Sequence, residues 1–407
     1  MPHVVAGLAT VDSITNPDSM FKKAGITNII AEVTHVDTEK KIVELSNDTS
    51  IDYDKIILGI GASPVIPEFE GVELEGVFTL RDVPDAERIK SFLEEKKAKN
   101  LVFIGTGFIN LELAALLSEN TPDYYNITII KYMTLGPPLA LMLDADMAIK
   151  IQERMVEKGL TMKMESRATR ILGRDGIVTG VELETGEKID ADMVMVSVGA
   201  RPNLELAKDM NLELGKFGVK VNKYLETSNP DILAGGDCVE KIHFVTKKPT
   251  SSLLRGPSVI QGRLAAKRLA GYEIEFPGVL NNSAVRIFDK YIAATGLTDK
   301  RAQKEGFETV SVVVNSRSKH GMIPGVKPWT LKLVFDRETQ RLIGGQIVSD
   351  SDAAPVKEID TINALIMGEK TIPELTTFMC AGNPDCSSEP SLEPITIAAE
   401  QALQKLR

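Results

Sequence analysis

Cysteine, histidine and aromatic residues are scarce in this chain of 407 residues. It contains three cysteines, four histidines and a single tryptophan, and only 5% of its residues are aromatic. Three thiols are too few for a disulfide scaffold, so we expect a protein of a reducing, cytoplasmic compartment. Zinc-type centres need clustered histidine and cysteine, and no histidine adjoins a cysteine here, so we expect no metal site.

Positive charge is also in deficit. Forty-seven lysines and arginines oppose 57 aspartates and glutamates, which gives a formal net charge of −10. This balance argues against nonspecific binding to nucleic acid or to an anionic membrane. No apolar run approaches the ~20 residues that a membrane helix needs, and no basic segment near Met1 suggests a signal peptide. With 43% hydrophobic residues, the length predicts two or three domains with ample cores.

Hydrophobic patterning predicts an α/β organisation up to about residue 280 and a different one after it. Residues 28–67 alternate like a hairpin and then form an apolar strand at Ile56–Ile60. From Ala284 onwards, long alternating strands precede a helix, which indicates an α+β domain. Between these regions we predict helices at 82–100, 108–120, 144–160 and 257–271, buried strands at 101–107, 126–130 and 192–203, and short strands with turns over Met162–Gly186.

The stretch LVFIGTGFINLELAALL, residues 101–117, reads as a strand, a glycine turn and a helix. Such a unit directs backbone N–H groups and a helix N-terminus at a pyrophosphate. Gly105 permits the turn and Gly107 lets the phosphates approach. Asn110 stands where the fingerprint has its third glycine, so we expect looser helix–strand packing there. The alternative is a tight turn that binds no ligand.

Lys131 ends the next predicted strand. Enzymes that use NAD place an acid about 20 residues after the glycine turn, where it binds the ribose hydroxyls, and that acid is missing here. A lysine at this place suits a 2′-phosphate and favours NADP(H). The alternative is a solvated lysine at a strand end.

A second candidate site lies in LAGGDCVE, residues 233–240. An apolar strand runs into Gly235 and Gly236 and then into Asp237. A carboxylate at the carboxyl end of a parallel strand suits a hydrogen bond to a sugar-like hydroxyl. This segment therefore predicts part of a flavin-nucleotide site.

Six motifs in collinear order resemble the FAD-dependent pyridine nucleotide–disulfide oxidoreductases, within the branch of NADH oxidase, NADH peroxidase and coenzyme A-disulfide reductase. The resemblance implies an α/β fold with two Rossmann-like three-layer nucleotide-binding domains and a C-terminal α+β dimerisation domain. It implies a homodimer, with the FAD domain at 1–96 and 219–279, the NAD(P) domain at 97–218 and the dimerisation domain at 280–407. The motifs are YDKIILGIGASPVIP, LVFIGTGFINLE, DMVMVSVGARPN, TSNPDILAGGDCVE, FDKYIAATGLT and PGVKPWTLKLVFD.

The resemblance also implies the cofactors FAD and NAD(P)H and a set of residues that bind them. Asp237 would bond the ribityl chain, Phe108 would cover the flavin, and Glu112 would face the nicotinamide carboxamide. Each also has a structural interpretation: Phe108 as core packing, Glu112 as a helix-surface acid, Gly199 as a turn former. The implied cofactor residues are Gly61, Ala62, Ser63, Arg81, Gly236 and Asp237 for FAD, and Gly105, Gly107, Phe108, Ile109, Glu112, Lys131 and Gly199 for NAD(P)H.

The resemblance starts just after the point where the family has its redox cysteine. We therefore expect the first domain to be N-terminally incomplete, since the family's first glycine turn, its ribose-binding acid and that thiol would all precede Met1. Three explanations stay open: a fragment or misassigned start, a separate polypeptide that supplies the missing unit, or a protein that has lost FAD.

The cysteines divide into two kinds. Cys238 is expected to be a small buried hydrophobe. Cys380 and Cys386 form C-x5-C in a predicted loop between two helices, a region that in the family reaches toward the partner's flavin. We regard them as candidate catalytic redox thiols, with ordinary loop residues as the alternative. The family's tyrosine before Pro-Gly is replaced by Met322 and Ile323, and nearby His320 is either a proton donor or a plain surface histidine.

The implied function is transfer of hydride from NAD(P)H through flavin to a small disulfide, persulfide, peroxide or oxygen. One alternative is a reductase for an electron carrier such as rubredoxin. Another is a flavin-free NAD(P)-binding dimer or subunit without catalysis.

Overall fold

A computed structural model describes residues 1–132, 136–350 and 353–407 of the chain. These residues form two compact units. The first comprises Met1–Leu8, Val65–Gly199 and Leu280–Arg407, and the second comprises Ala9–Pro64 and Ala200–Val279. Among the described residues, no helix is long and apolar enough to cross a membrane.

The elements follow in chain order. The helices are α1 (Pro2–Val5), α2 (Val11–Ile14), α3 (Asp18–Lys23), α4 (Val83–Lys96), α5 (Phe108–Asn120), α6 (Ala145–Glu157), α7 (Glu205–Asp209), α8 (Arg255–Leu269), α9 (Asp299–Glu305), α10 (Ala353–Met367), α11 (Ile372–Leu375) and α12 (Pro394–Leu406). The strands are β1 (Val33–Asp37), β2 (Ile42–Leu45), β3 (Ser50–Asp52), β4 (Ile56–Leu58), β5 (Ala62–Pro64), β6 (Val77–Phe78), β7 (Asn100–Ile104), β8 (Asn126–Lys131), β9 (Thr161–Arg174), β10 (Ile177–Leu183), β11 (Lys188–Asp190), β12 (Met193–Val196), β13 (Ala200–Pro202), β14 (Ile232–Ala234), β15 (Lys241–Ile242), β16 (Pro249–Thr250), β17 (Ser283–Ile287), β18 (Lys290–Gly296), β19 (Thr309–Arg317), β20 (Pro328–Asp336) and β21 (Leu342–Ser349).

A seven-stranded sheet in the first unit has the order β11-β10-β9-β8-β7-β12-β6. Strands β6, β12, β7 and β8 run parallel, and the continuous apolar runs of β7 and β12 are buried, as in a sheet covered on both faces. Helix α5 is correspondingly apolar around most of its surface. This arrangement confirms the predicted Rossmann-like architecture.

The same unit holds a five-stranded antiparallel sheet of order β17-β18-β21-β20-β19. Helix α10 packs on β18 and β21, and α12 packs on β19 and β20. The buried side chains between these layers include Leu331, Leu333 and Ile347. The expected α+β domain is therefore present.

The second unit is built from small sheets. Strands β1, β2 and β3 form an antiparallel meander, β4 pairs in parallel with β14, and β5 pairs with β13. Its core includes Leu58, Val219, Ile232 and Cys238. The meander and the apolar strand β4 follow the prediction from residues 28–67.

One prediction for the strands is wrong. Residues 162–186 do not form several short strands, because β9 alone spans fourteen residues. Its first half pairs in parallel with β8, and its second half pairs antiparallel with β10. A single strand thus joins the parallel and antiparallel parts of the sheet.

Candidate functional site

The glycine turn lies between β7 and α5. Gly105 has φ +107°, and a Cβ added there would lie 2.2 Å from the carbonyl oxygen of Ser197, so only glycine fits. Gly107 is the N-cap of α5, without a side-chain cap, and a Cβ added to it would meet nothing within 4 Å. The first N–H groups of α5 therefore have no side-chain cap, and the turn fits the pyrophosphate of a dinucleotide.

Asn110 does not loosen the packing, and that expectation is wrong. The side chain is fully buried, and its Nδ2 donates to the carbonyl oxygens of Ile104 and Gly105 at 2.9 and 3.0 Å. The amide thus ties the first turn of α5 to the end of β7. The glycine of the fingerprint is replaced by a side chain that performs the same close packing through hydrogen bonds.

Three more predicted residues project from the first turns of α5. Phe108 is 37% exposed, so it is not a core residue, and Ile109 is half-buried. Glu112 is half-buried rather than a plain surface acid, and burial raises the pKa of its carboxyl. A carboxyl of raised pKa beside an anion-binding turn is suited to hydrogen bonding with an amide.

The other predicted residues of this unit lie at loop positions. Lys131 is half-buried at the end of β8, next to Ile130, whose carbonyl oxygen accepts the N–H of Gly105 at 2.8 Å. Gly199 is exposed, with φ +127° and open space at its Cβ position. Arg81 is exposed before α4. The structure thus brings Lys131 to the glycine turn, while the roles given to these residues stay predictions.

The second unit holds the Gly-Gly-Asp segment, which follows β14 as a short 3-10 turn. Gly236 has φ +83°, and Asp237 is half-buried, with its Oδ1 accepting the hydroxyl of Ser258 at 3.2 Å. The N–H of Gly236 donates to Oε1 of Gln261 at 2.9 Å. Helix α8 therefore fixes the turn that presents Asp237.

Sequence reasoning missed a buried polar shell behind this turn. Lys241 is 2% exposed, and its Nζ donates to the carbonyl oxygens of Gly236 and Val239 at 2.5 and 3.0 Å, while burial lowers its pKa. Nε2 of Gln261, whose Oε1 accepts the N–H of Gly236, is buried and finds no partner among the described residues. Buried polar atoms of this kind usually have a partner, so this atom beside the Gly236 turn fits a polar group such as the ribityl chain of a flavin. No signal in the sequence distinguishes Lys241, because it directly follows Glu240 and lies two residues before His243.

Gly61 directly precedes β5 in the same unit, and Ala62 and Ser63 begin that strand. Asn203 holds this segment: its N–H donates to the Gly61 oxygen at 3.0 Å, and its Nδ2 donates to the Ile60 oxygen at 2.9 Å. The hydroxyl of Ser63 donates to Oδ1 of Asn203 at 2.7 Å. Asn203 was not singled out, although it ends the motif DMVMVSVGARPN.

The structure places one cysteine in a core and two in a loop, as predicted. Cys238 is fully buried, and burial raises the pKa of its thiol, so it is a core residue. Cys380 and Cys386 are exposed, free, and lie in the loop between α11 and α12. His320 adjoins this loop, since its N–H donates to the Pro384 oxygen at 3.0 Å.

Two family descriptions match the chain. Residues 4–252 match the family described as pyridine nucleotide-disulphide oxidoreductase, and residues 283–391 match the dimerisation domain of the same family. The family uses FAD and NAD(P)H, and the residues described above fit both groups.

Curated relatives and a solved structure agree with this match. The NADH oxidase of Methanocaldococcus jannaschii is 32% identical, over 100% of this chain and 90% of that protein. The CoA-dependent NAD(P)H sulfur oxidoreductase of Pyrococcus furiosus is 33% identical, over 90% of this chain and 81% of that protein. The NAD-dependent persulfide reductase from A. fulgidus is similar in structure, with a TM-score of 0.92 and 31% identity, covering 99% of this chain and 75% of that one. The chain belongs to the pyridine nucleotide-disulphide oxidoreductases, a family of NAD(P)H-dependent flavoenzymes.

Proposed function

We propose that this oxidoreductase reduces a low-molecular-weight disulfide or persulfide with NAD(P)H. The observation that carries the choice of acceptor is the pair of exposed free thiols, Cys380 and Cys386, on one loop. Relatives named as CoA-dependent sulfur and persulfide reductases support the same class of acceptor. FAD, when bound, relays the hydride.

The two thiols give a balanced reaction. The thiolate of Cys386 attacks the disulfide RSSR, one RS⁻ leaves and takes a proton, and a mixed disulfide forms. Cys380 then attacks Cys386 in that mixed disulfide, and the second RSH leaves. Two electrons and a proton from NAD(P)H, with one proton from solvent, return the pair to thiols. His320 adjoins the loop and is the proposed proton donor to the leaving thiolate.

The nucleotide end of the proposed site is the glycine turn. The N–H groups at the start of α5 bind the pyrophosphate, and Glu112 with its raised pKa orients the nicotinamide amide. We propose that Lys131 pairs with a 2′-phosphate, so that NADPH is preferred. Arg81, Gly61–Ser63, Gly236 and Asp237 are the proposed FAD contacts. The dimerisation domain supports a homodimer, which we place in the cytoplasm because exposed thiols persist in a reducing compartment.

A second candidate acceptor is oxygen. It is favoured by the NADH oxidase of M. jannaschii, which aligns with the whole of this chain. In that reaction Cys380 and Cys386 take no part. The two candidates therefore differ in what the removal of the thiols does.

The test starts with the visible spectrum of the purified chain and its flavin content per subunit. NADH and NADPH oxidation is then followed with coenzyme A disulfide, a persulfide, oxygen and rubredoxin as acceptors. Cys386→Ser is expected to slow disulfide turnover at least tenfold and to leave oxygen turnover unchanged, with Ser387→Ala on the same loop as the matched control. If Cys386→Ser and the wild type reduce the disulfide at equal rates, both cysteines are ordinary loop residues. Turnover with rubredoxin alone, or a chain without flavin, would refute the proposed function.

A further inference from the structure

A buried polar cluster joins the start of α6 to the five-stranded sheet within the first unit. We define it as Asp144, Lys332 and Gln346, which are 8%, 5% and 1% exposed. Nζ of Lys332 lies 3.1 Å from Oδ2 of Asp144, and Nε2 of Gln346 donates to the same oxygen at 2.7 Å. Oε1 of Gln346 in turn accepts the N–H of Asp144 at 2.8 Å. A cluster so fully bonded fixes the position of its members.

The Asp144 carboxylate also binds a second helix. Asp144 is the N-cap of α6, yet its side chain does not cap that helix. It instead accepts the N–H groups of Asp299 and Lys300, at the start of α9, at 3.0 and 3.2 Å. Burial by itself raises the pKa of Asp144, but the bonds from Gln346 and these N–H groups bring it below its usual range. The carboxylate is therefore held ionised against three elements at once.

A short path leads from this cluster to the glycine turn. The N–H of Leu139 donates to the carbonyl oxygen of Thr106, the residue between Gly105 and Gly107, at 3.0 Å. The oxygen of Leu139 accepts the N–H of Leu143, next to Asp144, at 2.9 Å. Leu139 is buried and has φ +56°, a backbone conformation that only surrounding structure holds in place for a leucine. Two backbone hydrogen bonds, through Leu143 and Leu139, thus connect the neighbourhood of Asp144 to the turn.

We infer that Asp144 and Lys332 are positioning residues for the nicotinamide nucleotide. Asp144 lies at the start of α6, and Lys332 lies on β20 of the five-stranded sheet. Neither side chain belongs to the glycine turn. They set the Leu139 loop, which braces Thr106 and so aims the N–H groups after Gly107. The inference rests on the proposed function, since it requires NAD(P)H at this turn.

The experiment compares Lys332→Met with the wild type. Met keeps the volume of the stem and removes the ammonium, which leaves Asp144 buried without its cation and also ends the contacts of Lys332 with Asp146 at 2.9 and 3.0 Å. We expect the Kd for NADPH and NADH, measured by calorimetry on the folded holoenzyme, to rise about tenfold. The KM for the nucleotide should rise in parallel, while kcat stays within about twofold and flavin content is unchanged. Lys332→Arg, which keeps the cation, should recover most of the affinity.

A matched control separates positioning from plain stability. Asp289→Asn breaks the exposed pair of Asp289 with Arg154, at 2.7 and 2.8 Å, which also joins α6 to the five-stranded sheet but does not reach the Leu139 loop. It should leave Kd unchanged. If Lys332→Met folds poorly, the double variant Asp144→Asn with Lys332→Met removes both buried charges, and its Kd should still rise at least fivefold.

Two results would overturn the inference, and they are distinguishable. Wild-type protein that binds NADPH, with Lys332→Met and the double variant both within twofold of it, would show that the cluster does not position the turn. Wild-type protein that binds neither nucleotide would overturn the proposed function together with the inference.

Discussion

Asn110→Ala tests the finding that a side-chain amide replaces the third glycine of the turn. The substitution removes two hydrogen bonds from a fully buried site, at 2.9 and 3.0 Å. Each such bond contributes about 0.5–1.5 kcal/mol, so the gross loss is about 1–3 kcal/mol. Alanine recovers roughly 0.5 kcal/mol through its higher helix propensity, and it also removes Oδ1 of Asn110, which is buried without a partner among the described residues. The carbonyl of Ile104 still accepts the N–H of Ser197, which places the loss toward the lower half of that range.

The assay is urea unfolding followed by circular dichroism, with the Kd for NADPH measured alongside. Asn126→Ala is the control, because Nδ2 of Asn126 donates to Asn100 at 3.0 Å on the surface. It should change the unfolding free energy by no more than about 0.5 kcal/mol. If Asn110→Ala is as stable as this control and binds NADPH equally well, the amide does not hold the turn, and the original expectation of loose packing returns.

Three further predictions concern the flavin segment, nucleotide choice and acid stability. Asp237→Ala should lower flavin retention, whereas Ser258→Ala should keep most of it; equal flavin content in Asp237→Ala and wild type would remove the assigned role. Lys131→Glu should move the ratio of kcat/KM for NADPH over NADH about tenfold toward NADH, the worth of one charge-assisted bond, and an unmoved ratio would contradict the proposed contact. For Glu374, the bonds from Lys370 and Thr371 lower the pKa from 4.5 to about 2, so its stabilisation is present above pH 4.5 and is lost as the pH falls toward 2. Glu374→Gln should therefore be less stable than wild type at pH 7, with the difference in melting temperature vanishing near pH 2; a constant difference would be evidence against this linkage.

Local patterns were enough to predict the elements that carry the glycine turn. The apolar runs of β7 and β12 and the helix α5 follow from continuous hydrophobicity between glycines, and Cys238 follows from its apolar neighbours. The family and its cofactors followed from six motifs in order. The role of Asn110 did not follow, because a fingerprint records which residue is absent and not what the replacing side chain can bond to.

Contacts between residues that are distant in the sequence were also not predicted. Asp144 and Lys332 are 188 positions apart in the sequence, and the motif PGVKPWTLKLVFD, which contains Lys332, does not indicate Asp144 as its partner. A buried lysine looks like any surface lysine until its surroundings are known, as Lys241 also illustrates. Pairings of this kind are fixed by tertiary packing, which periodicity does not record.

The double pairing of β9 bears on how this sheet assembles. Its antiparallel partner β10 begins three residues after β9 ends, so that hairpin closes a very short loop and can form within microseconds. The parallel partners β7 and β12 are separated by about 90 residues, and contacts so distant in sequence form slowly because the loop-closure entropy must be met first. We therefore expect the second half of β9 to pair first, with β10. The first half of β9 then offers an ordered edge with which β8 can pair. During refolding, backbone amides of the β9–β10 hairpin would become protected from hydrogen exchange before those of the nucleotide-binding strands. The strands next to the glycine turn would therefore form after the hairpin.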